Sequence, residues 1–211
     1  MTARLPDQRT LTGDLVELVS YIPTDLRGLF RALDHAEVWA YGYGGGPGGR
    51  PTDESAFGSW MRNRLAAGQR PYTVRTRVDG SLGPAGTIVG TTNLHDVDIQ
   101  NRHIHLGWTA YTPAAWGTAV NPECKFLLLR HCFEECFFER VKIQTDLMNV
   151  RSQEAIARLG AVREGVLRRH MQVRGYQRDT VYFSILDDEW PAVKARLQAR
   201  LAGPGEVTSG R

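Results

Sequence analysis

The run VKIQTDLMNVRSQEAIARLG at 141–160 changes period once, and abruptly. Val141, Ile143 and Thr145 alternate with polar neighbours, the two-residue period of a strand with one buried face. From Arg151 onward, Ser152, Ala155, Ile156 and Leu159 stand at i, i+3, i+4 and i+7, the period of a helix with one apolar stripe. Gly160 then closes the helix, as the residue best able to take a left-handed cap. A strand that passes directly into a helix belongs to a layered fold of mixed type. Asn149 and Ser152 stand at the handover, where such sheets hold ligands. A local reading is also open: Asn149 as an ordinary cap and Ser152 as a solvated first-turn residue.

The rest of the chain repeats this vocabulary. LVELVSY at 15–21 reads as a first strand, followed by Pro23 and a helix to about 33, with Thr24 and Asp25 in its first turn. YGYGGGPGGRP at 41–51 carries six glycines and two prolines in eleven residues. It is expected to be a mobile loop, either a lid over a cleft or plain surface. Its triple glycine has neither a preceding strand nor a G-K-[ST] ending, so it is not a phosphate loop. A helix at 54–69, strands at 72–78, 86–98 and 103–111, and a helix at 122–138 follow. After the 141–160 unit come strands at 161–173 and 179–186 around the turn Arg174-Gly175-Tyr176, then a helix at 187–201. Residues 202–211, AGPGEVTSGR, read as a disordered tail. The order predicts one α/β (α+β) domain over 1–201, with a central, mostly antiparallel mixed sheet flanked by helices.

The string from Thr145 through Gly165, with its N-x-x-S-x-x-x-I-x-x-L-G core, resembles a signature of the GNAT superfamily of N-acetyltransferases. It is most similar to the RimJ/RimL-like branch, which contains the ribosomal-protein alanine acetyltransferases. The element order agrees from about Leu15 to Trp190, and the closing YQRDTVYFSILDDEWP is typical of that branch too. The resemblance implies a GNAT fold with splayed fourth and fifth strands and acetyl-CoA as acyl donor. It implies direct transfer of the acetyl group to a primary amine in a ternary complex. The acceptor could be a protein N-terminus, an aminoacyl group or a small molecule. Succinyl-CoA or another acyl-CoA, or a CoA-binding domain without turnover, are the alternatives.

Carried over residue by residue, the resemblance places Asn149 on the pantetheine arm and Ser152 as proton donor to the leaving thiolate. The pyrophosphate loop falls on Trp116, Gly117, Thr118, Ala119, Val120 and Asn121, at a helix start suited to anions. That loop departs from the usual Q/R-x-x-G-x-G/A: Ala114 stands at the Q/R position, Pro122 removes an amide, and Glu123 adds a negative charge nearby. The thioester carbonyl is expected at a backbone N–H around Leu106, Gly107 and Trp108, where the glycine suits a bulge. Relatives often carry a glutamate base two residues before that glycine; this chain has His105. An imidazole can act as base near neutrality, and His103 shares its strand face. The plainer reading makes both histidines polar-face residues alternating with Ile104, Leu106 and Trp108. Arg168, Arg169 and His170 read first as a solvated strand face.

Bulk properties fit a globular protein and narrow its partners. A formal charge of +3 over 211 residues suits an anionic ligand but makes no case for nucleic acid. No apolar run approaches the roughly 18 residues that span a bilayer, and MTARLPDQRT has no apolar core of a signal peptide, so a cytoplasmic protein is expected. Cys124, Cys132 and Cys136 lack C-x-x-C spacing, so neither a disulfide framework nor a metal site is expected. The partner implied is a small-molecule or peptide amine, and a homodimer is compatible with the resemblance.

Overall fold

A computed structural model describes residues 2–203. Most of the expected tail, from residue 204, lies outside the described residues. The strands are β1 (Leu11–Thr12), β2 (Val16–Ser20), β3 (Pro71–Thr76), β4 (Ile88–Asp98), β5 (His103–Tyr111), β6 (Arg140–Asp146), β7 (Val162–Val173) and β8 (Tyr176–Leu186). The α-helices are α1 (Leu26–Leu33), α2 (Ala36–Trp39), α3 (Glu54–Ala66), α4 (Val120–Arg130), α5 (Val150–Ala157) and α6 (Trp190–Leu201). One eight-stranded sheet runs β1-β2-β3-β4-β5-β6-β8-β7. Only the β5–β6 pair is parallel. This is the mixed, mostly antiparallel sheet that the sequence predicts. The extra two-residue β1 makes the splayed strands the fifth and sixth rather than the fourth and fifth.

The splay is visible in the register. β5 and β6 pair only through His103–Arg140, Ile104–Val141 and His105–Lys142, and then diverge. On its other side β6 pairs with β8 from end to end, Arg140–Leu186 through Asp146–Thr180. The sheet therefore opens as a wedge between the last six residues of β5 and the last four of β6.

Apolar packing fixes both faces. Leu127, Leu128 and Leu129 of α4 join Val16, Leu106, Val141, Ile185 and Leu197 in one core. Leu29, Leu33, Trp39, Phe57 and Met61 form the other, on the face that carries Ala110. Burying one such leucine contributes about 2 kcal/mol, so both helical layers hold the strands flanking the wedge. Glu123, in the first turn of α4, points away from the helix terminus. Its carboxylate accepts from the amides of Asp14 (2.8 Å), Leu15 (2.9 Å) and Val16 (2.7 Å). Gly13 is required beside it, since a Cβ there would lie 2.5 Å from the Glu123 carboxyl carbon.

Two expectations are corrected. The helix predicted to Phe138 ends at Arg130, because a wide π-turn over His131–Glu135 follows and Phe137 takes a φ of 58° that reverses the chain. The glycine-rich stretch is not featureless. Short 3-10 turns at Tyr43–Gly45 and Pro47–Gly49 fold it against the β7–β8 hairpin, where Gly45 O accepts from Arg174 N at 3.2 Å. Positive φ at Gly42, Gly44, Gly45 and Gly46 makes that path accessible only to glycine at low cost.

Candidate active site

The wedge is a cavity of about 360 Å³, walled by the diverging strands, the α4 entry loop and the start of α5. It brings together His105, Leu106, Gly107, Trp108, Trp116, Gly117, Thr118, Asn121, Asn149 and Ser152. Ala119 and Val120 face elsewhere, lining a smaller pocket with Leu15 and Val78, so only their backbone can serve this cleft. At the α4 entry, Thr118 Oγ1 donates to Ala115 O (2.7 Å) and accepts from Val120 N (3.3 Å). Among the described residues the amides of Gly117 and Ala119 have no protein acceptor. Lys125, Arg151, Arg158, Arg178 and Arg200 line the cleft, against the single carboxylate of Asp146. That carboxylate is itself occupied by Tyr176 Oη, Met148 N and Arg178. Unpaired amides at a helix entry under a basic wall suit a phosphate-bearing ligand. Glu123, committed to the amides of Asp14, Leu15 and Val16, does not compete there. Across the mouth, the Arg151 guanidinium sits 3.3 Å from the centre of the Trp116 ring.

Asn149 does cap α5: its Oδ1 accepts from Ser152 N at 3.0 Å. The cap uses the carbonyl oxygen and leaves Nδ2 for a ligand, so the local and ligand-binding readings are compatible. Ser152 Oγ has no protein partner among the described residues.

On the opposite face of the sheet stands a pair of histidines. His95 and His105 are cross-strand partners with ring centres 4.1 Å apart. Asp96, in a bulge and at φ 47°, turns its carboxylate back to both Nδ1 atoms, at 3.2 and 3.1 Å. Each Nε2 is buried and unpartnered. Ligand atoms of the three groups lie within 4.8 Å of one another. The carboxylate is already shared between the two Nδ1 atoms, which suits an oriented pair of bases better than a metal centre. Burial, then the charge of His95, pushes His105 down to about 3, and burial also lowers His95. Burial alone would raise Asp96, but hydrogen bonding from His105 and the charge of His95 outweigh it and hold the carboxyl at about 2. Gly107 is explained by this pair: a Cβ there would lie 2.8 Å from His95 Nε2 and 3.1 Å from His105 Nε2.

These shifts set the sign of a pH effect. With a folded pKa of about 3 against 6.5 unfolded, His105 protonates first in the unfolded chain as pH falls. Stability therefore declines from pH 6.5 downward. Asp96 adds its own loss only below 3.8. Denaturant titrations between pH 6.5 and 3.8 are expected to show a shallower decline for His105→Gln than for the parent.

The bulge predicted at Gly107 lies one residue on. Register shifts between Thr91 and Asn93, and it is Trp108 that takes positive φ, at 50°. A tryptophan there costs about 1–3 kcal/mol. It is held by Arg64, whose guanidinium lies 4.7 Å from the Trp108 ring and 4.8 Å from that of Trp60. His103 is half-exposed beside Asp98, at 3.5 Å, and does not line the cleft. Arg168, Arg169 and His170 are exposed on β7. All three cysteines are free and buried, with burial pushing Cys124 up to about 12.

Sequence reasoning missed His95, Asp96 and Lys125. The histidines share a face only through a register that a bulge shifts, and Lys125 looks like a surface position on an amphipathic helix. Its amine is buried instead and donates to Thr109 Oγ1 at 2.8 Å.

A splayed mixed sheet, a helix entry with free amides and a polar strand-to-helix handover meet in one cleft, a site suited to a phosphate-bearing ligand. The acetyltransferase (GNAT) domain model matches residues 16–162, and the chain belongs to that family of N-acetyltransferases. YdaF of Bacillus subtilis (strain 168), named a ribosomal N-acetyltransferase, is 29% identical over 126 residues, 60% of this chain and 68% of that protein. A GCN5-related N-acetyltransferase from Brucella melitensis is 26% identical at a TM-score of 0.87, covering 100% of this chain and 94% of its own. RimJ of Mycobacterium smegmatis, solved with CoA-disulfide, shares the fold at a TM-score of 0.74 and 21% identity over 95% of this chain and 97% of its own. Within the family the chain resembles the RimJ/RimL-like branch. No described helix is long and apolar enough to cross a membrane.

Proposed function

We propose that the chain, read as one acetyltransferase domain over 1–201, moves an acetyl group from acetyl-CoA to a primary amine, with a protein N-terminus as the preferred acceptor. The observation that carries this is the wedge itself: free amides of Gly117 and Ala119 at its mouth, a basic wall, and two unpartnered imidazole nitrogens at its far face. The RimJ structure with CoA-disulfide supports a CoA-type donor, and YdaF's name favours a ribosomal protein as acceptor.

In this reading the loop over 116–121 holds the pyrophosphate and Asn149 Nδ2 meets the pantetheine arm. The strand segment Leu106–Gly107–Trp108, left without a partner on its β6 side by the splay, offers backbone N–H to the thioester carbonyl. His105, with His95 beside it, takes the proton from the attacking nitrogen. A base this weak cannot deprotonate a free ammonium. It can accept a proton from nitrogen already bonding to the carbonyl, which is far more acidic. Ser152 Oγ donates to the departing sulfur.

Calorimetry with CoA, combined with thiol release from acetyl-CoA and succinyl-CoA over a panel of peptides, polyamines and aminoglycosides, tests this. Expected are CoA binding and acceptor-dependent release with acetyl-CoA, greatest with N-terminal peptides. Absence of CoA binding would sink the reading, and release only with succinyl-CoA would change the donor.

A further inference from the structure

The sequence holds three lysines, and the fold treats them differently. Lys142 lies 3.6 Å from Asp96 and Lys194 lies 2.7 Å from Glu134, each partly exposed. Lys125 is 5% exposed, lines the cleft and has no carboxylate partner among the described residues. The carboxylate of nearby Glu123 is turned to the amides of Asp14, Leu15 and Val16. The amine is tethered at 2.8 Å to Thr109 Oγ1, which also contacts Thr92 Oγ1 at 2.8 Å. Thr109 directly follows the bulged Trp108, so Lys125 Nζ is held beside the strand segment that faces the thioester in the reading above.

We propose that Lys125 is itself an acyl acceptor: with no amine substrate present, the chain acetylates this one lysine from the thioester in its own cleft. The inference rests on the acetyl-CoA reading and adds a modification site to it. The Lys125 nitrogen lone pair forms a bond to the acetyl carbon and the carbon–sulfur bond breaks. Sulfur leaves as the thiolate with the electron pair, and the proton lost from nitrogen passes to it or to water. The product is one amide and one CoA thiol, with no oxidant or metal consumed. Burial, opposed only by the neighbouring Cys124, pushes the amine down to about 7, so a large fraction is nucleophilic at neutral pH where an ordinary lysine is protonated. A tethered amine also gains the effective concentration of an intramolecular reaction. The amide has no basic lone pair, so the event occurs once per chain.

The test is peptide mapping by mass spectrometry of the full chain after incubation with acetyl-CoA and no amine. The expected result is one acetyl mass, with occupancy at Lys125 at least about tenfold above the more exposed Lys142 and Lys194, an advantage of the size that modest intramolecular placement gives. The preference should vanish in the urea-unfolded chain, and excess CoA should suppress it. Lys125→Arg should abolish the one-acetyl mass shift. Label appearing first at Lys194 or Lys142 would mark ordinary solution acylation and overturn the proposal. No label on a chain that binds CoA by calorimetry would overturn it too, leaving the acetyl-CoA reading intact. No CoA binding would overturn that reading and this inference with it.

Discussion

Replacing both His95 and His105 by glutamine is expected to lower kcat for acetyl transfer by about 10²- to 10⁴-fold, the usual contribution of a positioned base. CoA affinity should change little, because both rings lie on the face of the sheet opposite α4 and α5. The single variants should cost less than half of the double effect in logarithmic terms. The two rings are 4.1 Å apart and share one carboxylate, so either Nε2 can stand in for the other. Glutamine keeps a donor for Asp96, so the fold should survive, and an unchanged thermal transition would verify it. The loss should be nearly constant above pH 6.5, since His105 is already neutral there. The acid limb of the parent then reports the acceptor amine. Full turnover by the double variant would end the assignment of a histidine base.

Glu123→Ala is expected to destabilise the fold by about 3 kcal/mol while leaving the cleft chemically complete. Three backbone amides lose a charged acceptor at 2.7–2.9 Å. Bonds to charged groups contribute about 1.5–3 kcal/mol each, reduced here because Asp14 and Leu15 lie near water and only Val16 is fully buried. For a chain of this size the loss corresponds to a fall in Tm of about 6–12 °C, read by calorimetry. Glu123→Gln should recover part of it, since an amide oxygen can accept but carries no charge. A variant melting with the parent would show that the carboxylate only fills space. The sequence points the other way, to a charge repelling phosphate at the helix start, because the partner amides lie more than a hundred residues away.

That contrast marks how far the sequence was legible. Local periodicity carried the elements: the VKIQT alternation became β6, and Ser152, Ala155, Ile156 and Leu159 became the inner side of α5 and its end. The handover at Asn149 was readable because its cap and its ligand group belong to one side chain. What period could not show was register. His95 meets His105 only because bulges flank their pairing, and Trp108 rather than Gly107 carries the unusual backbone because Arg64 and Trp60 pin its ring. Lys125 is invisible for a related reason. Its burial depends on the wedge, and the wedge depends on strands far apart in sequence. The glycine-rich stretch looked featureless because its order comes from the β7–β8 hairpin, not from itself.

The three-residue contact between β5 and β6 has a consequence for the protein's life in solution. Where the strands part, each presents a run of backbone donors and acceptors with no strand opposite, the condition under which sheets recruit foreign segments. In the proposed acetyl-CoA reading, a donor arm carrying amide groups would fill that gap as a surrogate strand, and the enzyme would complete its own sheet with its substrate. At a hundredfold excess over Kd such a ligand adds about 2.7 kcal/mol of stability. On that reading the supply of acyl donor would govern how long the chain persists as well as how fast it works, and a starved population would be the one most exposed to mispairing.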